Sequence, residues 1–162
     1  PQPTQKAFET QVWDRLRRFD PARAVFVEAE SKKVGNLTVP ASLIEAMRES
    51  PCVRLELPLA ARVQLLMEDY DYFVRDAAFF GERLDRLADL KGRALIEDWK
   101  QRAQAGQTAE VVAELLERHY DPGYESSTSR NFRQYAQAEP LALTGPDIQA
   151  MATGAAQLLR SA

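Results

Sequence analysis

Arg23-Ala-Val-Phe-Val-Glu-Ala-Glu30 is the stretch on which the reading of the fold turns. Its apolar residues run together over 25–27, as in a strand buried on both faces. The reading is a β-strand over about 24–28, ending in the carboxylates Glu28 and Glu30. A polar loop follows, Ser31-Lys32-Lys33-Val34-Gly35-Asn36, with a flexible Gly-Asn pair. Open α/β sheets build their sites where strands deliver polar groups to such loops. Pro40 then suits a first helical position, and Leu43, Ile44 and Met47 form a short apolar face. Ser50-Pro51 stops that helix. Cys52-Val-Arg-Leu-Glu-Leu57 alternates as a second strand. Strand, helix and strand together make a unit of βαβ size.

Outside this unit the pattern is helical. Phe8, Val12, Leu16 and Phe19 mark a helix over Thr4 to Phe19, ended by Asp20-Pro21. Beyond Pro58, Leu59, Val63, Leu66, Met67, Tyr70, Phe73 and Val74 form one stripe. Asp76 caps the next helix, which Gly92 ends. Leu95, Ile96, Trp99 and Ala103 mark another, closed by Gly106, and Thr108 caps its successor. Asp121-Pro122-Gly123 reads as a break, with a polar helix from Tyr124 to about Gln137. Asp147 starts the last helix, with Ile148, Met151, Ala155, Leu158 and Leu159 expected to face inward. The expected fold is thus α-rich α/β: a partial α/β unit over 1–58 and a helical lobe over 59–162. Two strands are too few for a stable open sheet, so either they pair with further strands elsewhere in the chain or the missing strands precede Pro1.

The chain has 162 residues, enough to bury about 70% of its unfolded surface. Hydrophobic residues make up 45%, which argues for a packed core rather than disorder. Twenty-one basic and 24 acidic residues give a net charge of −3, so any nucleic-acid contact must come from a local cluster. A single cysteine, Cys52, precludes an intrachain disulfide and fits a reducing, cytoplasmic setting. No apolar stretch is long enough for a transmembrane helix, and residues 1–6 lack the apolar core of a signal peptide. The first residue is Pro rather than Met, and the chain is expected to be a processed or excised piece.

Several side chains stand out chemically. Glu28 and Glu30, two residues apart in an extended segment, would lie on one side at about 7 Å. Such a pair can hold Mg²⁺ or polarise a nucleophile; it can equally be a solvated strand end paired with Lys32 and Lys33. Ser31 and Lys32 with the Gly35-Asn36 backbone suit a phosphate, or an ordinary polar turn. Arg54 and Arg62 flank the second strand, placed for a phosphate or for ion pairs to Glu30 or Glu56. His119, the sole histidine, lies beside Tyr120 and near Tyr124, as a proton-transfer group or as a partner of a helix C-terminus. Arg130 and Arg133, near Tyr135, can contact RNA or simply be solvated. Zinc is not expected, for want of ligands, and neither haem nor flavin is expected. The chain contains no G-x-x-x-x-G-K-[ST], G-x-G-x-x-G or G-x-S-x-G motif.

Four segments carry a resemblance: Gln2-Pro-Thr-Gln5…Phe8-Glu9, Val25-Phe-Val-Glu28-Ala-Glu30-Ser31-Lys-Lys-Val-Gly35-Asn36…Pro40, Arg54-Leu-Glu…Arg62, and His119-Tyr-Asp121…Tyr124. In this order they resemble the C-terminal half of bacterial tRNA 2-selenouridine synthases, from Pro1 to about Arg133. That family joins a rhodanese-like domain to a P-loop domain. It acts on the wobble uridine of certain tRNAs, replacing the sulfur of 2-thiouridine with selenium from selenophosphate. It also geranylates that sulfur from geranyl diphosphate, the geranylated base being taken as an intermediate. The resemblance implies that the rhodanese cysteine and the Walker A loop precede Pro1, and that Cys52 is not the former. It implies a Walker B-like place for Glu28 and Glu30 and a lid or RNA-contacting role for the helical lobe. It also implies phosphate or substrate contacts from Ser31, Lys32, Arg54 and Arg62, and tRNA or substrate contacts from His119, Tyr120, Tyr124, Arg130 and Arg133. The chain alone is expected to be inactive. Two other readings stay open: a nucleotide-kinase-like ATP enzyme with a helical lid, and a non-enzymatic module that docks tRNA or a protein.

Overall fold

The computed structural model describes residues 2–29 and 32–161, and of Ser161 the backbone alone. The strand-end residues Glu30 and Ser31 lie outside the described residues. The order of elements is α1 (Gln5–Leu16), β1 (Lys33–Val34), β2 (Leu37–Thr38), α2 (Ala41–Glu49), β3 (Val53–Glu56), α3 (Leu59–Asp69), α4 (Asp71–Arg75), α5 (Ala77–Asp85), α6 (Ala88–Lys91), α7 (Arg93–Gln104) and α8 (Thr108–Leu115). A π-helical turn (Leu116–Tyr120), α9 (Asp121–Asn131), a 3₁₀ turn (Tyr135–Gln137), β4 (Glu139–Ala142) and α10 (Ile148–Ser161) complete it. The fold is α-rich α/β, with short strands in two-stranded sheets β1-β2 and β3-β4.

The described residues form two compact units. One takes Pro1–Arg54, Glu125–Pro140 and Ala155–Ala162; the other takes Leu55–Tyr124 and Leu141–Gly154. The second holds the main core, Phe80, Leu84, Ile96, Trp99, Ala103, Val111 and Leu115, with Phe73, Leu87 and Val112 against it. Trp99 is fully buried, and its indole N–H donates to Glu114 Oε2 at 3.0 Å. That bond relieves the cost of burying the indole's polar edge. Asp76 caps α5, its carboxylate accepting from the Phe79 N–H at 2.9 Å. Gly92 and Gly106 end α6 and α7 at positive φ of 90° and 85°.

In the first unit the side chains of Gln2 and Gln5 hold the β1-β2 hairpin. Gln2 donates to Val34 O at 2.8 Å and accepts from Asn36 N–H at 3.0 Å. Gln5 repeats this with Thr38, at 2.7 Å to its carbonyl and 2.9 Å from its N–H. Each primary amide stands in for the peptide group of a neighbouring strand. Gly35 turns the hairpin at φ 60°, where a Cβ would meet the Gln2 side chain. The ladder extends to Lys32, whose carbonyl accepts from Val39 N–H at 2.8 Å.

Several expectations are corrected. Residues 24–29 form no strand, and Val25, Phe26 and Val27 stand 49%, 47% and 55% exposed. A strand needs a partner ladder, and among the described residues none lies alongside. The βαβ unit therefore does not form: β3 pairs with β4 instead, Glu139 N–H donating to Cys52 O at 3.1 Å and Leu143 N–H to Glu56 O at 2.8 Å. The stripe from Leu59 to Val74 divides at Tyr70 into α3 and α4. Asp121-Pro122-Gly123 does not break the chain direction; a π-helical turn leads straight into α9. Thr108 opens α8 from inside, Gln107 being the capping position. In α10, Ile148 is 89% exposed, and Met151, Ala155 and Leu159 are exposed too. The small residues Ala150 and Gly154 face inward, where a Cβ on Gly154 would meet Leu143. Close backbone approach selects that small face over the larger apolar one.

Candidate functional site

In the first unit, Ala29, Lys32, Ile44, Met47, Arg48, Ser127, Asn131 and Phe132 line an open crevice of about 340 Å³. The hairpin delivers Lys32, α2 delivers Ile44, Met47 and Arg48, and the end of α9 delivers Ser127 and Asn131. Arg48 Nη2 donates to Asn131 Oδ1 at 3.0 Å, and Asn131 Nδ2 donates to Ser127 O at 2.8 Å. The Arg133 N–H donates to the Arg48 carbonyl at 2.9 Å. Two cations thus edge a floor of half-buried apolar side chains, an arrangement suited to an anionic group on a flat or apolar body.

Glu28 lies in the exposed irregular segment leading to this crevice. Arg130 is exposed and donates to Ser126 O of its own helix at 2.8 Å. Arg133 pairs with Glu49 at 3.0 Å, both side chains exposed. Arg54 sits in β3 with an exposed side chain. Burial pushes the Cys52 thiol up, away from thiolate character, as expected of a structural cysteine.

The second unit places Arg62 and Asp121 in a two-pronged pair, at 3.0 Å (Nη1 to Oδ2) and 2.5 Å (Nη2 to Oδ1). The Asp121 hydrogen bond, more than its charge, raises the Arg62 pKa against the opposing effect of burial. Asp121 is therefore the partner of Arg62 among the described residues. The π-helical turn arises at Pro122, which has no N–H. Asp121 N–H reaches back to Leu116 O, five residues earlier, and the Lys91 ammonium donates to Arg118 O, the carbonyl a residue at 122 would otherwise satisfy. Such insertions recur at functional sites. Here the turn carries half-buried His119, its ring 5.1 Å from that of Tyr120, while Tyr120 and Tyr124 stay exposed.

Sequence reasoning missed Arg48 and Phe132. Arg48 adjoins the apolar face of Ile44 and Met47, and a cation next to a hydrophobic patch is the unused signal that marks it in the sequence.

Residues 1–79 match the family model described as the tRNA 2-selenouridine synthase AAA domain. The chain belongs to the tRNA 2-selenouridine synthase family. The relative of that name from Aeromonas salmonicida is 32% identical over 155 residues, covering 76% of this chain and 41% of the relative. The one from Azotobacter vinelandii is 30% identical over 174 residues, covering 90% of this chain and 45% of the relative. The one from Nitrosomonas eutropha is 41% identical over 76 residues, covering 43% of this chain and 19% of the relative. The chain spans less than half the length of these tRNA 2-selenouridine synthases. No solved structure matches it. The crevice and the Arg62–Asp121 pair are thus the described parts of a family member whose relatives are longer.

Proposed function

We propose that this chain forms part of a cytoplasmic tRNA-modifying transferase that converts wobble 2-thiouridine to 2-selenouridine. Selenophosphate supplies the selenium, and the reaction passes through S-geranylation from geranyl diphosphate. The observation that carries the reading is the alignment of 76% and 90% of the chain with relatives named tRNA 2-selenouridine synthase. The catalytic cysteine and the phosphate-cradling loop then come from rhodanese-like and Walker A segments of the longer protein, and the helical part, 59–162, acts as lid or RNA contact.

In S-geranylation the sulfur forms its bond to carbon as diphosphate leaves, so negative charge grows on the departing oxygens. Cations held near those oxygens stabilise that charge. Lys32, with Ser31 beside it in sequence, is our choice for this role, with Arg54 as a second phosphate contact. Arg62 serves by holding Asp121, and with it the turn bearing His119 and Tyr120 and the start of α9 bearing Tyr124, toward substrate. Among the described residues no group of three or more His, Cys, Asp or Glu is placed to hold a metal ion. Glu28 stands exposed on irregular chain and Glu30 lies outside the described residues; this pair would hold Mg²⁺ in the longer protein, and no step here runs through the metal. Glu28 and Glu30 are assigned to substrate polarisation in the longer protein.

The test is mass spectrometry of tRNA nucleosides from cells in which the enclosing gene is deleted, then restored in wild-type or Glu28→Gln/Glu30→Gln form. Deletion should abolish 2-selenouridine and geranylated 2-thiouridine, and the double variant should restore neither. Persistence of 2-selenouridine after deletion sinks the function; full restoration by the variant sinks only the assignment of the carboxylates.

A further inference from the structure

Most cations of this chain whose contacts are described are matched by acids: Arg17 and Arg18 by Asp14, Arg62 by Asp121, Lys100 by Asp85, Arg102 by Glu114. Lys32 and Arg48 are not, and unlike Lys91 and Arg130, which donate to backbone carbonyls, both line the crevice. Among the described residues neither lies within ion-pair distance of a carboxylate, and Glu49, the acid next to Arg48, is taken by Arg133. The side-chain partner of Arg48 is the neutral amide of Asn131, itself locked by the Ser127 carbonyl. A half-buried guanidinium held in place without a counter-charge is prepared for an anion from outside.

The rest of the crevice says what carries the anion. Phe132, Ile44 and Met47 supply a half-buried apolar surface, with the aromatic ring available for stacking. The volume of about 340 Å³ suits one nucleotide rather than an extended ligand. Beyond Ser127, α9 presents exposed Ser126, Ser129 and Arg130, a polar and cationic surface that a phosphate chain can follow. Splayed bases stacked on aromatic rings, with cations on the adjoining phosphates, are how proteins seat single-stranded RNA.

We infer that the Lys32–Arg48 crevice seats a single unpaired nucleotide of RNA, its phosphate on Lys32 and Arg48 and its base against Phe132. The inference rests on the proposed tRNA-modifying role and assigns Arg48, Asn131 and Phe132 to it.

The test uses the 162-residue chain and a fluorescently labelled tRNA transcript, with anisotropy titrations over a range of salt. Arg48→Gln and Lys32→Gln should each weaken binding about fivefold or more and lower the salt slope by about one. Phe132→Ala should weaken binding at every salt without changing the slope, and Phe132→Trp should retain it. Arg75→Gln, whose cation is already paired with Asp71, should bind as wild type. Thermal melts identify any variant that fails to fold, and Arg48→Lys, which keeps the charge, gives a second reading at that position. If wild type binds tRNA and the Lys32, Arg48 and Phe132 variants bind equally well, the crevice assignment falls while the tRNA-modifying reading stands. If wild type binds no tRNA but binds inorganic pyrophosphate in an Arg48-dependent way, the crevice is a small-anion site and the RNA inference falls.

Discussion

Glu114 shows how one residue ties the core to its polar surroundings. Its carboxylate accepts from Trp99 at 3.0 Å and from Arg102 at 2.5 Å. These two bonds, the indole's first, hold its carboxyl below the ordinary glutamate range despite opposing burial. A depressed carboxyl favours the charged form in the folded state. It therefore adds stability above the unfolded value, about 4.3, and that stability fades as pH falls through the folded value. Glu114→Gln should lose about 1 kcal/mol near neutrality and show a flatter decline on acidification, since the glutamine does not titrate. Urea unfolding at a series of pH values checks this. Equal acid-side slopes in both proteins would show that Glu114 carries none of the dependence. The apolar part of this arrangement was legible, because Trp99 falls on the α7 stripe with Leu95, Ile96 and Ala103. The polar part was not, because Glu114 meets Trp99 only once α7 and α8 pack together.

At the scale of elements, local signals served best where the cause was local. The Asp76 cap and the stops at Gly92 and Gly106 follow from backbone chemistry within a few residues and stand where expected, although the single helix expected between Asp76 and Gly92 divides into α5 and α6. Pro122 misled because its effect depends on a distant side chain. Without an N–H at 122 the Arg118 carbonyl lacks its helical partner, and the sequence reads as a break. In the fold Lys91 donates to that carbonyl and the helix continues as a π-helical turn. This predicts a specific non-additivity. Lys91→Met should cost about 1 kcal/mol in the native background, because a carbonyl loses a charged donor. In a Pro122→Ala background the new N–H can take the carbonyl, and the same lysine change should cost close to nothing. A double-mutant cycle from chemical denaturation measures the difference. Additive losses would mean that Lys91 and Pro122 act independently. The crevice was legible only in part for the same reason: Lys32 sits in a recognisable polar loop, but Arg48 gains its neutral partner Asn131 from a helix 83 residues away.

Across the whole molecule, burial is concentrated where helices pack on one another, and the most strand-like segment lies outside it. Phe80, Leu84, Ile96, Trp99 and Val111 are almost wholly buried in the second unit. In the first unit α1 buries no residue completely, and 24–29 combine half-exposed apolar side chains with irregular backbone. The apolar run was legible as a strand, since Val25-Phe26-Val27 has the composition of one buried on both faces. What the run cannot encode is the ladder it needs, and the matched relatives are more than twice as long as the portion this chain spans. Local opening costs little where buried contacts and protected hydrogen bonds are few, and approaches global unfolding in a packed core. In hydrogen-exchange mass spectrometry of this chain, amides of 24–29 should therefore exchange at close to their unstructured rates. Amides within α5, α7 and α8 should exchange only through global unfolding, and the β1-β2 hairpin, held by Gln2 and Gln5, should fall between. Replacing Gln5 by Ala should move the hairpin toward the fast group while leaving α7 and α8 unchanged, because its two bonds to Thr38 lie wholly within the first unit. Strong protection of 24–29 in the monomer would mean that the segment has found a ladder, and the account of an unpartnered strand would have to be given up.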